Sequence, residues 1–222
     1  MEFIKHSFII LIIATISGCA NVNYYLGSAA KLDKNTTFDS DKFYSYYDDT
    51  VSGHFVFDDF EISVIAYNTI TTERNFELLF VSVDKQGPFK GDVGKPPFLV
   101  EIRLRGKKNL IEFYPFQAKL NDSIMVKEAK FKDPKPECEY QYTEWEVIDS
   151  KKPHLVPDKK RNESFKCVKQ GWLEYLLAFD IETPHPQTDF SVTLALRNIK
   201  TNTWINKTIY FSAAQFISTQ TH

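Results

Sequence analysis

Phe98-Leu99-Val100-Glu101-Ile102-Arg103-Leu104-Arg105 decides the fold class. In an extended chain Phe98, Val100, Ile102 and Leu104 share one side, and Leu99, Glu101, Arg103 and Arg105 share the other. That alternation is the signature of a strand with one face in a core and the other near water. The same rhythm recurs along the chain. Phe60, Ile62 and Val64 alternate with Glu61 and Ser63. Leu173, Tyr175, Leu177, Phe179 and Ile181 lie opposite Glu174, Asp180 and Glu182. Phe190, Val192, Leu194 and Leu196 alternate with Ser191, Thr193, Ala195 and Arg197. Phe76 to Val83 is apolar on both sides, the pattern of a central, covered strand.

Between these runs stand turn signals at Thr71 to Asn75, Gln86-Gly87-Pro88, Gly106, Asn121-Asp122 and Thr201-Asn202. The last joins strands near 190–198 and 203–211 in a hairpin. About eight to ten strands result, with almost no room for crossover helices, so the strands are expected to be antiparallel. The expectation is an all-β protein, an immunoglobulin-like β-sandwich, with an up-and-down β-barrel as the alternative. A composition of 19 Phe, 11 Tyr and only 2 Met agrees with a strand-rich chain.

The first twenty residues follow another logic. Lys5 and His6 precede the apolar run Phe8 to Ile13, and Ile16-Ser17-Gly18-Cys19 ends it. A charged start, a short apolar segment and small residues at a cleavage point describe an export signal. A bilayer span needs roughly 20 apolar residues, more than this run supplies. Ile16-Ser17-Gly18-Cys19 resembles the lipobox of bacterial lipoproteins, with Ile16 at the position most often Leu. The resemblance implies that residues 1–18 are removed as a lipoprotein signal peptide and that Cys19 is acylated. Ala20, rather than Asp, after the cysteine implies sorting to the outer membrane of a Gram-negative bacterium, facing the periplasm. An ordinary cleaved signal with Cys19 as a bystander is the alternative reading.

Residues 19–50 lack clean period-two alternation and read as a membrane-proximal tether, with Phe43, Tyr46 and Tyr47 at the spacing of one short helix. Residues 51–218 read as the β-sandwich domain. An insertion at about 132–170 interrupts it, rich in Pro and charge and including Pro134, Pro136, Pro153 and Pro157. Trp145 and Val147 suggest a short strand within it. Cys138 and Cys167 bracket most of this insertion. An exported pair of cysteines most often forms a disulfide, and closing so long a loop would contribute about 3–4 kcal/mol in the chain-entropy picture. Neither has a second Cys or a His at zinc-ligand spacing. Inside the loop Lys151, Lys152, His154, Lys159, Lys160 and Arg161 form the most basic stretch of the chain, a candidate binding loop for an anionic surface.

A net charge of −2 is too balanced for a nucleic-acid binder. Gly91-Asp92-Val93-Gly94-Lys95 lacks the first Gly of a phosphate loop and carries Pro96 where Ser or Thr is needed, which argues against nucleotide binding. The sequence contains neither a Gly-x-Ser-x-Gly elbow nor a His-Glu-x-x-His pair. Asp58, Asp59 and Glu61 cluster at a strand start, a pattern most often met as solvated acids. No catalytic residue, metal ligand or cofactor is therefore expected. The expected role is a non-enzymatic binding or structural module of the cell envelope. It would be held to the membrane through acyl chains on Cys19 and would partner another envelope protein. The alternatives are a carrier or sensor of a small apolar or glycan ligand and, third, an envelope-polymer hydrolase.

Overall fold

The computed structural model describes residues 20–45, 48, 50–78, 81–86, 89–107, 109–132, 144–148, 152–156 and 172–221. These residues are all-β. Their first half forms β1 (Ala20–Lys31), β2 (Phe43–Ser45), β3 (His54–Val56), β4 (Phe60–Ala66), β5 (Ile70–Leu78), β6 (Val81–Gln86), β7 (Phe98–Gly106) and β8 (Ile111–Phe113). A single 3-10 turn, Pro115–Gln117, separates these from β9 (Lys119–Leu120), β10 (Ile124–Met125) and β11 (Glu128–Lys132). Then come β12 (Glu146–Val147), β13 (His154–Leu155), β14 (Leu173–Phe179), β15 (Phe190–Asn198) and β16 (Thr203–Thr221).

Two sheets carry these strands. One follows the order β10-β9-β15-β16-β1-β5-β6, with β8 and β13 continuing from β15 and β2 lying beside β16. The other runs β12-β11-β14-β7-β4-β3. Every pairing is antiparallel except β2 with β16, as the shortage of crossover helices requires. The alternating stretch that announced the fold is β7, the centre of the second sheet, in register with β14 from Phe98↔Phe179 to Leu104↔Leu173.

The sheets pack face to face. Val100, Ile102 and Leu104 of β7 and Tyr175, Leu177 and Phe179 of β14 are fully buried. They share one core with Val192, Leu194 and Leu196 of β15 and with Ile209 and Phe211 of β16. Aromatic rings join the layers: Phe98 meets Phe190 edge-on at 5.2 Å, and Phe113 meets Tyr175 at 4.8 Å. Each such side chain withdrawn from water contributes about 1.5–3 kcal/mol. This burial explains why the alternating runs were readable at all.

Four expectations are corrected. Residues 20–31, read as part of a tether, form the twelve-residue β1, paired with β16 along its whole length and with β5 from Ala20 to Leu26. The stretch starting at Phe43 is the short strand β2 rather than a helix; Tyr46 and Tyr47 lie outside the described residues. Phe76 to Val83 is not one central strand. It belongs to β5 and β6, whose Leu78 and Val81 pair, and β6 closes one end of its sheet. Thr71 to Asn75, expected as a turn, continues β5. The turns at Asn121-Asp122 and Asn202 do form, with φ of 49°, 58° and 56°, left-handed values that Asn and Asp tolerate.

The described parts of the 132–170 insertion close the sandwich rather than project from it. β12 pairs with β11 at one edge of the second sheet. β13 pairs with β8 of the other sheet, and the following Val156 is fully buried in the core.

Candidate functional site

The outward positions of the second sheet carry a lattice of charge that the register assembles from four strands. Ser63, Arg103, Glu174 and Lys132 lie side by side across β4, β7, β14 and β11. Glu61 faces Arg105 in the flanking row, and Ile65, Glu101, Leu176 and Lys130 make up the row on the other flank. Two carboxylates are sunk into this surface, Glu61 at 3% exposure and Glu101 at 4%. Burial of an unpaired charge is costly, so each must be compensated.

Both are. Arg105 donates to the same Glu61 oxygen from Nε at 2.8 Å and from Nη2 at 2.5 Å, and His54 Nε2 lies 3.2 Å from that oxygen. Trp172 roofs the pair: the Arg105 guanidinium stands 4.3 Å from its ring centre and His54 meets it edge-on at 5.5 Å. Arg103 Nε donates to Glu101 at 2.7 Å and lies 3.5 Å from Glu174. The Tyr67 hydroxyl donates to the other Glu101 oxygen. Burial, reinforced by that carboxylate, holds the phenol above its usual range and therefore protonated. Both carboxylates accept hydrogen bonds from arginine within the sheet face. Among the described residues no three His, Cys, Asp or Glu side chains come together as a metal site. Asp59, from the acidic cluster in the sequence, pairs with Lys107 at 2.6 Å.

Around this neutralised lattice stand exposed apolar side chains on the same face. They are Val56, beside Glu61, then Ile65, Tyr67, and Val147, which extends the Lys130 row. Sequence reasoning read Glu61, Glu101, Arg103 and Arg105 only as a wet strand face. The signal that would have singled them out is opposite charge at facing positions, which exists only once the register is known.

Of the expected binding loop, Lys152 is exposed and His154 is half-buried in β13. The His154 ring packs edge-on against Phe131 at 5.3 Å and Tyr175 at 5.6 Å, between the two sheets. Desolvation there lowers its pKa from 6.5. His154 is thus a packing residue and is not displayed with Lys152. Lys151, Lys159, Lys160 and Arg161 lie outside the described residues, as do Cys19, Cys138 and Cys167.

A concavity lies on the outward side of the other sheet. It is an open groove of about 560 Å³ between Trp204, Met125 and Gln117, floored by Thr193, Ala195 and Asn206. Trp204 is half-exposed and leans on Tyr114 at 4.7 Å. The Tyr114 hydroxyl donates to Glu112 at 3.0 Å and accepts from Arg197 at 3.3 Å. Thr193 is tied to Asp122 at 2.9 Å and to Thr208 at 3.0 Å.

Comparison with protein-family models, with curated proteins and with solved structures found no match for this chain.

Two outcomes follow from the site. Arg105→Leu strands Glu61 in the sheet face and is expected to cost about 3–5 kcal/mol in urea unfolding, whereas Glu61→Leu with Arg105→Leu costs less than the single change. A single-mutant loss of only a few tenths would mean that the pair is solvated like an ordinary surface bridge. His154 gives a pH signature. Above pH 6.5 the ring is neutral in both states; as pH falls below 6.5 the unfolded chain takes up the proton first, so stability declines until the lowered folded-state pKa is passed. His154→Gln is expected to remove that acid-side decline when unfolding free energy is measured against pH.

Proposed function

We propose that this protein is a lipid-anchored module of the bacterial cell envelope that binds another envelope protein without catalysing a reaction. In this reading acyl chains on Cys19 hold it at the outer membrane, on the periplasmic side. The observation that carries the binding role is the outward face of β4, β7, β14 and β11. Its buried carboxylates are already bound by Arg103 and Arg105, which argues against acid–base work. Its remaining exposed groups include Val56, Ile65, Tyr67 and Val147. A broad face of internally neutralised charge studded with apolar side chains suits a protein partner, because docking there strands no charge. The placement at the membrane rests on the lipobox resemblance of Ile16-Ser17-Gly18-Cys19.

The test joins both halves of the proposal. Cells supplied with labelled palmitate are expected to label this protein, and Cys19→Ala to abolish the label. A photoreactive residue at position 65 or 147 is expected to capture one defined envelope protein, and the same residue at position 201 to capture none. Equal capture from all three positions, or none from 65 and 147, would remove the face from consideration.

The groove beside Trp204 favours a second reading, a sensor or carrier of a glycan. An exposed indole offers an apolar platform for the flat face of a sugar ring, and Gln117, Asn206 and Thr193 place amides and hydroxyls around it. Calorimetric titration with neutral trisaccharides (cellotriose, chitotriose) is expected to give a binding heat that Trp204→Ala abolishes while the fold is kept. Absence of heat with both sugars would dismiss this reading.

A further inference from the structure

Strand register builds the groove beside Trp204. Thr193, Ala195 and Arg197 are successive outward positions of β15. Lys119 of β9 stands beside Thr193, and Met125 of β10 stands beside Lys119. On the other flank Asn206 of β16 stands beside Ala195, and Trp204 stands beside Arg197. Ala195 places only a methyl group on the floor, which gives the groove its depth. Neighbouring strands lie about 4.8 Å apart and rise about 3.3 Å per residue, so Lys119 and Trp204 are on the order of 16 Å apart between Cα atoms. One sugar ring does not fill that span; a short chain of them does.

Two cations stand at the groove, and they differ. Arg197 is occupied: it donates to the Tyr114 hydroxyl at 3.3 Å and to Asn202, and lies 4.0 Å from Glu112. Lys119 is exposed and, among the described residues, pairs with no carboxylate. The acid of the lining is Asp122, in the turn that follows β9. The Thr193 hydroxyl donates to its Oδ1 at 2.9 Å, and its second oxygen remains an acceptor. The groove thus offers an indole at one end and an unengaged ammonium beside a carboxylate acceptor at the other.

We infer that the ligand of this groove is an acidic glycan, a chain of uronic-acid sugars with one ring on Trp204 and a carboxylate of a following ring at Lys119. The inference rests on the glycan reading of the groove given above and names its ligand class. Other classes leave groups unused or opposed. A simple organic acid satisfies Lys119 but brings no hydroxyl to Asp122, whose charge then repels it. A nucleic-acid strand presents a phosphate at every residue, and one lysine beside an aspartate is too little to hold it. A neutral sugar makes no use of Lys119. A uronate chain supplies every partner: an apolar ring face for the indole, hydroxyls that donate to Asp122, and a carboxylate for the ammonium.

The experiment titrates the full-length protein calorimetrically, at low ionic strength, with cellotriose and with triglucuronate, its counterpart with the primary alcohols oxidised to carboxylates. Both are expected to bind, the triglucuronate about two- to fivefold more tightly, the size of one exposed ion pair. Added salt is expected to shrink that difference. Lys119→Gln is expected to bring the two sugars to equal affinity, Lys119→Arg to keep the preference, and Trp204→Ala to abolish binding of both. Equal affinity in the unaltered protein overturns the acidic preference while the glycan reading stands. A preference that survives Lys119→Gln, or triglucuronate binding that survives Trp204→Ala, overturns the inference as well. No heat from cellotriose, chitotriose or triglucuronate overturns the inference and the glycan reading together.

Discussion

The structure depends on the continuity of β16. Its residues from Thr203 to Phe211 pair with β15 inside the sandwich, and those from Tyr210 to Thr221 pair with β1 beyond it. One strand thus belongs both to the core and to the extension of the sheet that ends at Ala20. Apart from Phe211, the crossing between the two regimes is made of small residues. Gly27-Ser28-Ala29-Ala30 of β1 lies against Phe211-Ser212-Ala213-Ala214 of β16. A side chain at Gly27 would come within 3.1 Å of the Phe216 ring. That closeness lets Phe216, Ala214, Ala29, Tyr44 and Val51 form a second small core under the extension.

Rigidity follows from this arrangement. A strand paired with β16 along its whole length, and with β5 from Ala20 to Leu26, moves with the sandwich rather than independently of it. The neutralised face of β4, β7, β14 and β11 and the groove at Trp204 are carried by the two sheets of that same sandwich. A binding module gains from such pre-organisation, because less freedom is lost when a partner docks.

How far the sequence disclosed this depends on how each strand is buried. β4, β7, β14 and β15 each have one face in the core, and alternation revealed them within a residue or two, along with the hairpin from β15 to β16. β1 concealed itself because most of its residues from Asn23 to Ser28 are only half-buried, so the polar Asn23 and the aromatic Tyr24 and Tyr25 follow no period. Phe76 to Val83 misled because it is divided between β5 and β6, so its apolar residues do not follow one another along a single strand. The lattice of Glu61, Arg105, Glu101 and Arg103 was hidden at a different level. Each residue is ordinary on its own strand and acquires a partner only through register. His154 shows the converse: its basic neighbours in the sequence suggested display, whereas pairing of β13 with β8 draws it between two aromatic rings.

The central claim is that the residues after Cys19 are structural sheet and not a leash. Amide hydrogen exchange across Asn21 to Leu26 in the full-length protein measures this directly, because β1 shares its backbone bonds with β16 and β5 alike. Protection comparable to that of β15 is required. Exchange at the rate of an unstructured chain through these residues would contradict the claim and return residues 20–31 to the role of a tether.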